Sequence, residues 1–269
     1  MLSTRLAAFG VLAILPAFAQ VSAAPDAEDA TEIIAPHQHG LVRDLQDRGD
    51  GTTTSSNWSG YAVTGTSFTS AKASWKVPKA TCSSGHQYAA FWVGLDGYSS
   101  SSVEQTGTDS DCVGATPSYY AWYEFYPKPS FQISGLTIKP GDEMSASVVY
   151  SGGEFTVTIT DVTTGKSFTK SATVSGAKRS SAEWIAEAPC CTGSGGILPL
   201  ADFGTVLFGE DSTGVSGTNF ATDSTVSGAI GKFPTIEQIT MQTSGGTKEA
   251  VPSGLSSDGT SFSVTWFSK

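Results

Sequence analysis

The chain has 269 residues, room for one large domain or two small ones. Acids outnumber basic residues 25 to 15, a net charge of −10 that does not suit nucleic acid, whose binding needs clustered Lys and Arg. Three histidines, only His86 of them beyond residue 54, and no zinc-like cysteine spacing point to neither a metal nor a cofactor.

At the N-terminus Arg5 is followed by an apolar stretch over residues 6–18, then by two small-residue cleavage patterns, Ala17-Phe18-Ala19 and Val21-Ser22-Ala23. This predicts a secretory signal peptide over residues 1–24 and a secreted, extracellular protein. The apolar stretch is too short to span a bilayer and no later one is apolar enough, so no membrane association is expected. Residues 25–54 carry seven acids and two arginines with little apolar periodicity. They read either as a disordered acidic linker or as a propeptide removed after secretion. The mature domain then covers residues 55–269, whose 18 acids and 12 basic residues leave a net charge of about −6. It opens on a formal glycosylation sequon, Asn57-Trp58-Ser59.

From residue 55 onward the pattern is that of strands. Phe155, Val157 and Ile159 alternate with threonines in EFTVTIT, and Phe262, Val264 and Trp266 alternate in SFSVTW. Turn signals separate such runs: Lys139-Pro140-Gly141-Asp142, Thr164-Gly165-Lys166 and Ser244-Gly245-Gly246. No segment sustains a 3.6-residue apolar period, so long helices are not expected. Many short antiparallel strands in one domain predict an all-β sandwich of two sheets, here as a monomer. The four cysteines are Cys82, Cys112, Cys190 and Cys191. Adjacent cysteines bridge each other only through a strained ring, so the expected disulfide is Cys82 with Cys112. Cys190 and Cys191 are left as a vicinal bridge or two thiols.

Side chains two apart on a strand share a face, and four segments carry acids or amides among large apolar groups. In FWVGLDG, Trp92, Gly94 and Asp96 line up; in VEQTGTD, Val103, Gln105, Gly107 and Asp109 do. In AWYEFYP the set is Trp122, Glu124 and Tyr126, and in SAEWIAE it is Glu183, Ile185 and Glu187. In three of the four, the opposite face is mostly apolar. Solvent-facing sides favour Ser, Thr and Lys, so these faces suggest a concave, partly desolvated groove in which a carboxylate pKa rises. A Ser-His-Asp or Cys-His hydrolase needs a histidine base, and His86 in SSGHQY has no G-x-S-x-G beside it. Phosphate-binding glycine loops and paired D-[ST]-G motifs are absent. What remains is carboxylate chemistry on a sandwich: glycoside hydrolysis by two carboxylates, peptide hydrolysis by a carboxylate with an amide partner, or a non-catalytic groove that stacks sugars on Trp92, Trp122 and Tyr126.

The motifs NWSG (57–60), WVGLDG (92–97), EQTGTD (104–109), AWYEFYP (121–127), SAEWIAE (181–187) and ADFGTV (201–206), in that order, resemble the glutamic peptidases, or eqolisins, of peptidase family G1. The resemblance covers essentially the whole mature region. It implies a secreted acid endopeptidase, made as a precursor and acting on polypeptides from the concave face of a two-sheet sandwich. It also implies catalytic roles for Gln105 in QTG and Glu183 in AEW, and substrate-groove positions for Trp92, Asp96, Glu124 and Tyr126. Glu187, just before Pro189, reads as an ordinary acid near a strand end.

Overall fold

The computed structural model describes residues 32–190, 196–209 and 218–268; the expected signal peptide and Cys191 lie outside them. Its strands are β1 (Glu32–Ile34), β2 (Gln46–Asp47), β3 (Thr52–Ser55), β4 (Trp58–Thr64), β5 (Ser70–Lys76), β6 (His86–Gln87), β7 (Ala90–Asp96), β8 (Val103–Val113), β9 (Thr116–Tyr126) and β10 (Phe131–Ile133). They continue as β11 (Glu143–Ser151), β12 (Glu154–Asp161), β13 (Lys166–Ala172), β14 (Ser181–Glu187), β15 (Thr205–Phe208), β16 (Phe220–Thr222), β17 (Ser227–Ala229), β18 (Ile236–Gln242), β19 (Lys248–Pro252) and β20 (Phe262–Trp266). One 3-10 turn, Ile230–Lys232, is the only helical element among the described residues.

The strands form two layers. The front layer runs β2, β3, β18, β4, β14, β7, β8, β9, β10, β1, antiparallel throughout except for the parallel pair β3 and β18. The back layer runs β13, β12, β11, β5, and continues through β15, β20 and β19, which returns to β18 and joins the layers at one side.

Alternation decides what lies between them. Phe91, Val93 and Leu95 of β7, Tyr123 and Phe125 of β9, and Ala182, Trp184 and Ala186 of β14 face inward. They meet Ala71, Ala73 and Trp75 of β5, Met144, Ala146 and Val148 of β11, and Phe155, Val157 and Ile159 of β12. Each large side chain so buried contributes about 1.5–3 kcal/mol. The two indoles between the layers keep their polar atoms satisfied: Trp75 Nε1 donates to Thr108 Oγ1 at 2.9 Å and Trp184 Nε1 to the Lys72 carbonyl at 2.8 Å. The expected disulfide joins Cys82 to Cys112 and ties the loop after β5 to β8.

Residues 32–54 differ from a disordered linker. β1 extends the front layer beyond β10, and β3 lies inside that layer between β2 and β18. The boundary expected between residues 54 and 55 falls within β3. Leu41 and Val42, two apolar residues of this acidic segment, pack against buried aromatics of the front layer.

Candidate active site

Register partners on neighbouring antiparallel strands point to the same face, so the outer face of the front layer is built in rungs. One rung holds Ala62, Glu183, Gly94, Gln105 and Glu124, on β4, β14, β7, β8 and β9 in turn. The next holds Gly60, Ile185, Trp92, Gly107 and Trp122; the third holds Trp58, Glu187, Ala90, Asp109 and Tyr120. All four polar faces expected from alternation therefore meet on one surface.

Glu183 and Gln105 are separated on their rung by a residue without a side chain. A Cβ at Gly94 would stand 2.9 Å from Trp92 Cζ3 and 3.3 Å from Gln105 Cβ and the Glu104 carbonyl oxygen. The space a side chain would need here is taken by the Trp92 ring, so glycine lets that ring lie against the strand beside Gln105. Glu183 is wholly buried and neither of its oxygens has a hydrogen-bond partner. Burial holds its pKa well above the usual carboxylate range, helped by the nearby Asp96 and Glu104 charges. Ser181 and the Tyr98 backbone pull the other way, though neither reaches the carboxylate with good geometry. Gln105 Nε2 donates to Glu124 Oε2 at 2.8 Å, which fixes the amide orientation and leaves Gln105 Oε1 unpartnered. Glu124 is pushed up well above its ordinary value, first by burial and then by the Glu187 charge.

Glu187 corrects the expectation of an ordinary strand-end acid. It is fully buried, and it accepts hydrogen bonds from Trp92 Nε1 at 2.8 Å and the Gly40 amide at 3.1 Å. Burial raises its pKa to about 8 against the opposing effect of those donors. Trp92 is thereby held by its indole nitrogen at the floor of the groove. Asp96, with a left-handed φ of 67°, accepts from the amides of Lys178, Arg179 and Ser180 at 2.7–2.9 Å. Its oxygens pin the turn before β14 and are engaged within the protein. Tyr126 lines the groove edge, half-buried against the apolar cluster of Trp58, Trp92, Trp122 and Ile185.

The residues over this surface belong to the segment 25–54, expected to be an acidic linker or a propeptide, and no site residue was expected among them. Residues 35–43 cross it. His39 stacks on Trp122, with ring centroids 3.5 Å apart and planes within 2°. His37 Nε2 lies 2.5 Å from Asp109 Oδ2, and His39 Nε2 lies 3.0 Å from Asp109 Oδ1. Tyr120 Oη donates to Asp109 at 2.7 Å. Burial works to lower the His37 pKa, but Asp109 and Asp111 outweigh it and raise the group; for His39 burial wins and the pKa falls. Burial alone would raise Asp109, yet the two histidines hold it well below the usual range. Asn57 closes the far end: its side-chain oxygen accepts from the Arg43 amide at 2.8 Å and its nitrogen donates to the Leu41 carbonyl at 3.1 Å. The sequon is therefore buried here.

His37, His39 and Asp109 are also the donor set that comes nearest to a metal site among the described residues. Zinc ligands each sit about 2.0–2.2 Å from the ion, which spreads them further apart than the 2.5 Å contact between His37 and Asp109. The arrangement is a hydrogen-bonded ion cluster. The one hint of it in sequence is His37-Gln38-His39, two imidazoles at strand spacing inside an acidic segment.

The class these features define is a β-sandwich hydrolase with an acid-lined groove. Residues 56–265 match the model of the Peptidase A4 family, and the chain belongs to that family. It is 32% identical to Aspergillopepsin-2 of Aspergillus niger over 197 residues, 64% of this chain and 69% of that relative. It is 38% identical to Scytalidopepsin B of Scytalidium lignicola over 121 residues, 44% of this chain and 45% of that one. The crystal structure of scytalido-glutamic peptidase with a transition state analog inhibitor superposes with a TM-score of 0.67 at 27% identity. That superposition covers 79% of this chain and 98% of the other. The protein is a glutamic-type endopeptidase, a hydrolase acting on peptide bonds.

Proposed function

We propose that Glu183 is the general base and Gln105 the oxyanion stabiliser of a secreted acid endopeptidase made as a precursor. The observation that supports this best is their shared rung, on which only Gly94 stands between them. In the open groove, ionised Glu183 removes a proton from a water held between the two side chains, and the oxygen attacks the scissile carbonyl carbon. The carbonyl becomes an oxyanion that accepts a hydrogen bond from the Gln105 amide. The C–N bond then breaks as protonated Glu183 returns its proton to the leaving amine.

An amide suits the oxyanion task because it donates without titrating, and so works unchanged in acid. Glu124 holds one N–H of Gln105 at 2.8 Å and leaves the other available. A base must be ionised, and full burial keeps Glu183 protonated. The mechanism therefore requires a solvated groove, in which the Glu183 pKa falls back toward its ordinary range. Trp92, Glu124 and Tyr126 line the path a polypeptide would follow, and Asp96 supports it by holding the 178–180 turn.

Hydrolysis of denatured casein at about pH 4, with circular dichroism as the control for folding, tests this reading. Glu183→Gln and Gln105→Ala should each lower the rate by at least about 10²-fold while the spectra stay unchanged. Pepstatin, which targets an aspartate dyad, should have no effect. Near-normal hydrolysis in either folded variant would remove the mechanism.

A further inference from the structure

We propose that Glu237 and Tyr98 build a substrate subsite on the side of Glu183 away from Gln105, and that this subsite takes a basic side chain, lysine or arginine, of the polypeptide being cut. The inference rests on the peptidase reading of the groove and deepens it by naming the substrates the groove selects.

The subsite lies on the rung of the catalytic pair. Glu237 of β18 is the register partner of Ala62, and Ala62 that of Glu183, so the rung continues past the base by two strands. Ile239, two residues on, packs in the outer apolar cluster with Trp58, Ala62 and Trp92, which puts Glu237 on the groove face. Ala62 carries only a methyl group, so no large side chain on the rung separates the two carboxyls. Strands about 4.8 Å apart place Glu237 roughly 10 Å from Glu183 along the rung. An extended substrate advances about 3.3–3.6 Å per residue, so the side chain that meets Glu237 belongs to a residue within about three of the scissile bond.

Tyr98 links the two carboxyls. Its ring packs against the outer cluster, and its backbone acts on Glu183. Its hydroxyl stands 3.3 Å from Thr53 Oγ1, which donates to Glu237 Oε2 at 2.7 Å. Burial pushes the Tyr98 hydroxyl up to about 12, and the nearby Glu237 charge adds to the effect.

What this end of the rung lacks is a cation. Glu237 is 9% exposed and is met by hydroxyls; no lysine, arginine or histidine pairs with it among the described residues. The other groove carboxyls are answered from within the chain: Asp109 by two imidazoles, Glu187 by an indole and an amide, Glu124 by the Gln105 amide. Glu183, fully buried with neither oxygen bonded, forms the opposite wall of the subsite. A carboxylate withdrawn from water is stabilised by an opposite charge that also donates hydrogen bonds, and an ammonium or guanidinium supplies both. A cation held there would favour the ionised form of Glu183 that the mechanism needs.

The test uses the full chain at pH 5 and internally quenched peptides that share one scissile bond. They carry arginine, lysine, methionine or glutamate in turn at each of the three positions on either side of it. At one position arginine and lysine should raise kcat/KM roughly tenfold over methionine, and glutamate should lower it. Glu237→Gln should bring the arginine-to-methionine ratio to within about twofold of one, and Glu237→Lys should reverse the preference in favour of glutamate. Tyr98→Phe and Glu237→Asp, the milder changes, should each lower the ratio in part, with thermal melts to check that every variant is folded. An unmodified chain with no preference for a basic residue at any position overturns the subsite, whether or not the variants fold. A preference that survives in folded Glu237→Gln overturns the role of Glu237. A chain that hydrolyses neither casein nor any of the peptides overturns the peptidase reading itself, a result distinct from hydrolysis of casein without discrimination among the peptides.

Discussion

Glu187 accepts from an indole, a backbone amide and, at 3.5 Å, the Asn57 side chain, and burial raises it to about 8. At pH 5 it is protonated, so glutamine matches its shape, but the amide has one accepting oxygen where Glu187 accepts on two. Glu187→Gln leaves either the indole or the Gly40 amide facing an NH2 and should cost about 1–2 kcal/mol at that pH in urea titrations. Glu187→Ala leaves the Trp92 indole and the Gly40 amide without their acceptor and opens a cavity, and should cost about 2–4 kcal/mol. Equal destabilisation by both substitutions would show that the one acceptor glutamine keeps contributes nothing to holding Trp92. At this scale the sequence was legible only where a motif singled a residue out. QTG and AEW distinguished Gln105 and Glu183, but the partners of Glu187 come from positions 40, 57 and 92. A carboxylate four residues from the base looked ordinary because its environment is built by chain far away in sequence. Asp109 was hidden for the same reason: alternation put it on the groove face, but the histidines that fix its ionisation lie 70 and 72 residues earlier.

Strands themselves were the most readable part of the molecule. A period of two assigns each side chain to a face, and the inward sets on β7, β9, β12 and β14 are those the alternation gave. Periodicity does not say which strands are neighbours, so the rung of Glu183, Gly94 and Gln105 was not visible as a unit. Register is what turns Gly94 from a weak strand residue into part of the site. Gly94→Ala would place a Cβ 2.9 Å from the Trp92 ring and 3.3 Å from Gln105 Cβ. The Trp92 ring cannot retreat freely, because its indole nitrogen is bonded to Glu187. The substitution should destabilise the protein by about 1–3 kcal/mol and lower kcat/KM roughly tenfold or more by displacing the Trp92 ring and the Gln105 side chain. Steady-state kinetics beside a thermal melt would check both effects. Full activity in Gly94→Ala would mean that the exact placement of Trp92 and Gln105 does not limit the reaction.

For the molecule as a whole, the closed groove makes stability a function of pH. Glu104, Glu124, Glu183 and Glu187 all lie above the ordinary glutamate value of 4.5, Glu104 and Glu187 at about 8, with burial the first cause in each. Each holds its proton more tightly folded than unfolded, so its contribution is intact below pH 4.5 and is lost as pH rises toward the folded value. Asp111 behaves likewise, and His37, raised above 6.5, also loses its contribution as pH climbs through its folded pKa. His39 and Asp109 run the other way: both are lowered, and their contributions disappear as pH falls below 6.5 and 3.8 respectively. Between pH 6.5 and 8 these two are already at full strength, and the remaining shifts all act in one direction. The melting temperature of the Glu183→Gln chain should therefore fall steadily across that window, by calorimetry in buffers of matched ionic strength. Glu104 allows one contribution to be isolated. It lies on the inner face with Leu95 and Phe125 as register partners, away from the groove, and neither of its oxygens has a hydrogen-bond partner. Glu104→Gln should flatten the decline by about one proton's worth, near 1.4 kcal/mol per pH unit, and should leave the protein more stable at pH 8. The same slope in both chains would mean that Glu104 is not the raised carboxyl its burial implies.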